Sequence, residues 1–463
     1  MNKVPSRTPS APTISAQNVS TQNASTQNIS APTISAPSEA ADWTATTRRL
    51  PESVAKELDL LAFAGDHGMV FTRDGVGVAA RGEAFRIDIP GGTAAVAHVR
   101  HILSSIRKDD DLHRAASGPV AIGALPFLPT EPGHLTVPEI VVAKSSDGNA
   151  WVTRTYRTTA PPPLSDRSGL ESDELVGQTS TNWSPHGFDL HSTVTHQQWC
   201  ERIATAVDAI NNGPMDKVVL ARAVDVEATG PLIVSEILGR LHALFPSCMV
   251  FHVEGFLGAS PELLVSRKGS AVKAHPLAGT IARSGDPDTD ARLAANLLAS
   301  SKDRWEHSLV IDEMAETLRP LCDELDVPRT PTVLSLRNVS HLATLITGTL
   351  RAETVHDRTA PTALELAGLL NPTPAVGGVP RDLAFAAIAA LEPVPRGRYA
   401  GPVGWVDTAG NGEWAVGLRS AQVDGNRARM HAGGGIVADS DPRAELTETQ
   451  LKLQALLAAV VRP

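Results

Sequence analysis

The stretch His431–Leu453, HAGGGIVADSDPRAELTETQLKL, restricts the fold of this chain more than any other. Gly433, Gly434 and Gly435 leave the backbone open to close approach, and Ser440, Asp441 and Pro442 supply the capping and first-turn chemistry that begins a helix. An anion is expected on the amides of this stretch. On the helix, Glu445, Glu448 and Lys452 fall at i, i+3 and i+7, so two carboxylates and an ammonium share one face, while Leu446, Leu453, Leu456 and Leu457 serve the buried side. Alone, the pair reads as a solvated face beside a glycine turn. A second pair of the same spacing changes the reading: SKDRWEHSLVIDEMAETL is a long amphipathic helix with Asp303 and Glu306 in its first turns, and Trp305, Leu309, Met314 and Leu318 for packing. Two helices offering such pairs make a hard, all-oxygen site that suits Mg²⁺, with water and substrate completing the shell. His307, next in the chain, reads as packing or hydrogen bonding.

With 463 residues, 42% of them hydrophobic, the chain can bury a full core. A net charge of −10 without basic blocks argues against nucleic acid or an anionic membrane as partner, leaving small molecules. Cys200, Cys248 and Cys322 form neither a paired framework nor a Cys-x-x-Cys site, which fits a reducing cytoplasm. No apolar run approaches the roughly 20 residues of a membrane span. Residues 1–40, with repeated STQN and SAPTISA, read as a disordered tail whose removal is expected to leave activity intact.

From Trp43 to about Asn182 the signals are mainly strand. Asp74-Gly75 is a turn, VAIGALPFLP and VPEIVVAK read as buried strands, one helix is expected near Gly92–Arg107, and the Pro/Ser/Gly-rich segment from Pro161 to Ser184 reads as a link. Helices are expected over Thr195–Asn212, over Ile233–Leu244 and for about a dozen residues from Asp288. Lys217 opens an otherwise apolar β-run, where an ammonium is costly unless paired or neutral; a surface lysine at a strand start is the simpler alternative. Glu262 follows what reads as a Gly-Ala-Ser-Pro turn, among Leu263, Leu264 and Val265, where burial would raise its pKa as a general acid requires, unless it faces water at a strand edge. Gly279 and Thr280 end a strand, and His341 lies within another. Arg419 reads as a strand residue after a hairpin turning at Gly410–Gly412; it is either a carboxylate ligand in waiting or half of a structural ion pair.

Ten segments, KVVLAR, GASPE, PLAGT, the WEH helix, SHLAT, NPTPA, GNGEW, LRSA, AGGGIV and ELTETQLKL, stand in the order and spacing of the chorismate-utilising enzymes, which the chain resembles from about Asp216 to Lys452. GALPF at Gly123–Phe127 extends the resemblance weakly into the first half. The resemblance implies one large α/β (α+β) domain over residues 41–463, its motif-bearing part 195–455, with extended antiparallel sheets and helices outside. Ammonia-using members typically carry Gln where this chain has Lys217, and many aminodeoxychorismate enzymes carry a lysine where it has Ala278. Both differences point to the water-using branch, and NPTPAVGG with GNGEWAVGLRSA resembles the siderophore-type isochorismate synthases.

By that resemblance Lys217 activates water for attack at C2 of chorismate, and protonated Glu262 donates to the departing C4 hydroxyl. Glu306 and Glu448 bind Mg²⁺ directly, with Asp303 and Glu445 supporting; Asp303 is shorter than the Glu of some relatives. Arg419, the Gly433 amide and Lys452 hold the enolpyruvyl carboxylate, Gly279 and Thr280 approach the ring carboxylate, and His341 joins the substrate site. The product is expected to feed a siderophore route through 2,3-dihydroxybenzoate or salicylate, via an isochorismatase or a pyruvate lyase. A monomer is expected. Two alternatives stand beside this reading: a salicylate synthase that also expels pyruvate, and a non-catalytic chorismate or metal sensor.

Overall fold

The computed structural model describes residues 33–91, 96–161, 187–351 and 360–461, which belong to one compact unit. Its strands form a ten-stranded sheet, a 13-stranded sheet and a three-stranded sheet among the described residues. Apart from two short parallel pairings at their margins, neighbouring strands are antiparallel. Both halves of the chain contribute to both large sheets. Met69–Arg73 pairs with Met249–Val253 in one, and Val120–Ala124 pairs with Pro402–Asp407 in the other, so the first half has no sheet of its own.

Period-2 patterning explains the strands and capping explains the helices. Lys217–Ala228 is buried along nearly its whole length because its side chains pack into the core, Val218 and Leu220 in one apolar cluster and Val224 and Val226 in another, while Phe188–Ser192 and Arg427–Ile436 pair with its edges. Thr195 caps the helix His196–Asn211 by accepting from the Gln198 N–H, and Ser300 caps Ser301–Leu318 by accepting from the Asp303 N–H. Asp441 Oδ1 accepts from the Arg443 and Ala444 amides (3.1 and 2.8 Å) and Pro442 takes the first position of the helix Pro442–Val461. That helix buries Leu453 and Leu456 in the apolar cluster that holds Ile237, Leu238 and Met430, each leucine contributing on the order of 2 kcal/mol. Leu446 and Leu457 are only half-buried.

Several expectations shift. Residues 33–40, assigned to the tail, include a strand Thr33–Ile34 and a helix Pro37–Ala40, because Ile34 and Ala40 pack into the core beside Trp43 and Phe85. Two short helices, Glu52–Glu57 and Leu60–Ala64, stand in a stretch read as mainly strand; the second is capped by Asp59. The helix expected from Gly92 is seen over Ala97–Ser105, with residues 92–95 outside the described residues. The link after Pro161 also lies outside them. Gly258, Ala259 and Ser260 are not a turn but the end of the strand Phe256–Ser260; the hairpin before it turns at Glu254 and Gly255, both left-handed (φ 49° and 76°). Trp305, assigned to packing, is 45% exposed, since its side of the helix faces solvent rather than the sheets. No helix among the described residues is long and apolar enough to cross a membrane.

Candidate active site

Gly433–Gly435 are strand residues paired with Ala221, Leu220 and Val219, not a phosphate-type loop, so the expected anion cradle on consecutive amides is absent there. Their lack of side chains serves another purpose. A Cβ on Gly434 would stand 2.7 Å from Glu445 Oε2, and one on Gly435 would stand 2.5 Å from Glu306 Oε1 and 3.1 Å from Lys217 Cε. The glycines therefore let carboxylates from two helices close on one strand. We expect Gly435→Ala to lower kcat/KM on the order of 10²-fold by displacing Glu306 and Lys217, with little change in thermal melting; steady-state kinetics and a melting curve decide it.

Glu262 is positioned where the chain leaves one large sheet for the other. Phe256–Ser260 lies in the 13-stranded sheet and Leu263–Lys268 in the ten-stranded one, and Pro261-Glu262 makes the crossing. The chain crosses back between Gly412–Val416 and Ser420–Asp424. Ser260 Oγ donates to Val416 O (2.6 Å) and the Val416 N–H donates to Glu262 O (3.1 Å), locking the two crossings together. Burial pushes the Glu262 carboxyl up to about 8, against the opposing pull of the Leu277 N–H and of Lys217 and Lys452. The group is a carboxylic acid at neutral pH.

Arg419 lies on the return crossing in a left-handed conformation (φ 49°), not within a strand. Its Nη2 approaches His341 Nε2 at 3.4 Å, and its buried Nη1 has no hydrogen-bond partner. Burial, then Arg419 and Lys452, hold the His341 imidazole well below its usual range. A guanidinium only donates, so Nε2 is the acceptor and the ring proton sits on Nδ1, 3.0 Å from Thr280 Oγ1. Gly279 sits at a bulge between Ala278 and Thr280 with φ 75°; a Cβ there would reach within 3.1 Å of Asp303 Cβ, so the glycine lets the Ser301–Leu318 helix approach. His307 is buried and bonds Thr344 Oγ1 (2.8 Å).

Eleven of the twelve residues given site roles from the sequence line one cleft of about 950 Å³, part of it open solvent: Glu262, Gly279, Thr280, Asp303, Glu306, His341, Arg419, Gly433, Glu445, Glu448 and Lys452. Lys217 does not line it. Its Nζ is fully buried 2.9 Å from Glu306 Oε1, at an angle that makes an ion pair but no hydrogen bond. Lys452 Nζ donates to Glu448 Oε1 (2.6 Å) and to Gly433 O (2.8 Å). Sequence reasoning missed Tyr399 and His431, which also line the cleft. Tyr399 lies in the irregular segment between the helix Arg381–Leu391 and the strand Pro402–Asp407, where no periodicity marks a residue. The Gly433 N–H is directed at the Tyr399 hydroxyl.

The carboxylates fit a hard cation. Burial raises the Asp303 carboxyl, with Glu306 and Glu448 adding to it, and burial followed by Glu448 raises Glu445 to about 7. Glu445 Oε1 accepts from Ser440 Oγ (2.8 Å), while its Oε2 is buried without a partner. Four oxygen-donor groups, two of them raised by burial and their neighbours and one with an orphaned oxygen, form a set that a divalent cation would relieve. Among the described residues no three such side chains stand close enough to coordinate an ion, and Glu306 and Glu448 are paired with Lys217 and Lys452. Those two ion pairs would have to open for a metal.

Residues 70–461 match the family model described as chorismate binding enzyme. The chain is 37% identical to isochorismate synthase DhbC of Bacillus subtilis, over 74% of this chain and 81% of that one. It is 36% identical to isochorismate synthase EntC of Escherichia coli K12, over 73% and 80%. The solved structure of MenF, the menaquinone-specific isochorismate synthase of Escherichia coli, superposes with a TM-score of 0.73 at 26% identity, covering 90% of this chain and 94% of that one. With the family model spanning most of the chain and relatives above 30% identity aligned over most of its length, the chain belongs to the chorismate-binding enzymes.

Proposed function

We propose that the protein is an isochorismate synthase, an isomerase that converts chorismate to isochorismate. The observation that carries this reading is a carboxylic acid kept protonated by burial, Glu262, at a carboxylate-lined cleft behind whose Glu306 a buried amine, Lys217, lies within 2.9 Å. The reaction adds one water and expels another. Oxygen bonds to C2, the two ring double bonds shift, and the C4–O bond breaks. Lys217 takes the proton of the incoming water and Glu262 gives its own to the departing hydroxyl.

Glu306 and Glu448 would hold Mg²⁺ with Asp303 and Glu445 in support, and the metal, when bound, would neutralise the ring carboxylate. At the other end Arg419 has a buried, unpartnered Nη1 for the enolpyruvyl carboxylate, and Lys452, the Gly433 amide and the Tyr399 hydroxyl stand beside it. His341 fixes Arg419 by accepting from it, and Gly279 and Thr280 form the wall on the ring side. An outlet in siderophore synthesis is part of the proposal. The relatives include a menaquinone-specific enzyme, so its test is whether disrupting the gene removes catechol or salicylate production under iron limitation.

The decisive assay incubates the protein with chorismate and Mg²⁺, separates the products and measures pyruvate in the same sample. Isochorismate approaching equilibrium without pyruvate supports the proposal. Salicylate with matching pyruvate replaces it with the lyase reading, and metal-dependent chorismate binding without product replaces it with a sensor. Chelation should abolish turnover and added Mg²⁺ should restore it. Turnover that survives chelation removes the metal from the reading.

A further inference from the structure

His431 is a buried histidine that the chemistry above does not use, although it faces the cleft from the same side of its strand as Gly433 and Gly435. Its ring lies flat against that of Tyr399, with centroids 5.0 Å apart and planes 17° from parallel. One ring nitrogen faces the Pro395 carbonyl, and Nε2 is buried with no hydrogen-bond partner, so Nδ1 is the nitrogen on the Pro395 side. Burial, together with Arg396 and Arg429, pulls the imidazole down to about 4, so the ring is neutral.

Through these contacts His431 touches the segment that carries Tyr399 at two points, the phenol ring and the Pro395 carbonyl. That segment has no regular structure of its own. It is tied at other points: the Tyr399 N–H donates to Arg396 O (3.0 Å), Ala400, in a left-handed conformation (φ 63°), donates to Gly417 O (3.0 Å), the Phe127 N–H donates to Gly397 O (2.8 Å), and Arg398 donates to Glu254 Oε2 (2.7 Å). Arg396 donates to the carbonyls of Val376 and Val219 (both 2.7 Å), and both of those residues line the cleft. Those ties hold the backbone of the segment, while the His431 ring stacks on the phenol itself and so bears directly on the aim of the Tyr399 hydroxyl. The phenol, raised to about 12 by burial, stays neutral and has a proton to donate where the Gly433 N–H and Arg419 already converge.

We propose that His431 is a positioning residue that holds the Tyr399 hydroxyl at the enolpyruvyl-carboxylate end of the cleft. It touches no reacting atom and acts through Tyr399 alone. This rests on the assignment of the protein as an isochorismate synthase. A stacked histidine suits the task because it supplies a flat face and, unlike phenylalanine, a ring nitrogen that faces the Pro395 carbonyl of the neighbouring loop.

A double-mutant cycle on the full chain with chorismate and Mg²⁺ tests the proposal. His431→Leu and Tyr399→Phe should each raise KM about 10-fold with kcat changed less than about 3-fold, and the double variant should also lie near 10-fold, since the second change finds nothing left to misplace. His431→Phe, which keeps the stack and loses the ring nitrogen, should fall between wild type and His431→Leu, and it serves if the leucine variant does not fold. Multiplying effects, near 100-fold in the double variant, or a His431 variant with unchanged KM, overturns the proposal while leaving the function standing. Wild-type protein inert toward chorismate instead removes the function, and this inference with it.

Discussion

Glu262→Gln is expected to lower kcat on the order of 10²-fold or more while leaving chorismate binding nearly unchanged. Glutamine has the shape of the protonated acid and keeps a hydrogen-bond donor, but it has no proton to release at the C4 hydroxyl. Folding should tolerate the change, because the native group is already neutral at pH 7: burial has pushed it up to about 8 from an ordinary value of 4.5. The direction of pH dependence follows. The acid is present below about 8, so the wild-type rate should decline as pH rises through that value. A folded-state pKa above the unfolded one also means that the folded chain holds a proton the unfolded chain releases. This group's contribution to stability is thus fully present below the unfolded value and is lost as pH rises toward about 8. Glu262→Asp, which withdraws the acid by one methylene, should retain part of the activity. Turnover of the glutamine variant near the wild-type rate, or a rate still rising through pH 8.5, would sink the assignment of Glu262 as acid.

Residues whose partners lie nearby in sequence were legible, and those whose partners lie far away were not. The Glu445/Glu448 and Asp303/Glu306 pairs follow from helical spacing, and the cap at Asp441 follows from local hydrogen bonding. Glu262 was legible as a carboxyl among leucines. Its position at a crossing between two sheets was not, since the sheets are assembled from strands 100 and more residues apart. Arg419 was misplaced into a strand for the same reason: a left-handed non-glycine residue at a sheet crossing has no local signature. The glycine run was recognised as a place of close approach, but the approach of the chain's own Glu445 to Gly434 and of Glu306 to Gly435 was not legible, because it depends on how two helices pack against the strand. Tyr399 and His431 meet across a strand and an irregular segment, and nothing local to either names the other.

Lys217 should be as costly to remove as Glu262, for the complementary reason. Lys217→Ala is expected to retain chorismate binding and to lose turnover on the order of 10²-fold or more, because water loses the group that takes its proton. The competing account makes Lys217 only the counter-ion of Glu306, 2.9 Å away. Metal separates the two accounts. Removing the lysine leaves the largely buried Glu306 carboxylate unpaired, so Lys217→Met should melt lower than wild type without metal and recover in Mg²⁺, while remaining inactive. If Lys217 only neutralised Glu306, saturating Mg²⁺ would take over that task and restore the methionine variant. If it is the base, no concentration of metal compensates. The reverse reaction adds a second test, since there the ammonium protonates the C2 hydroxyl and the Glu262 carboxylate accepts the proton of incoming water. The equilibrium constant cannot change with the catalyst, so each variant must slow both directions by the same factor in kcat/KM. Near-normal turnover of Lys217→Met at high Mg²⁺ would reassign the residue from base to counter-ion, and with it the choice of water as nucleophile would lose its support in the structure.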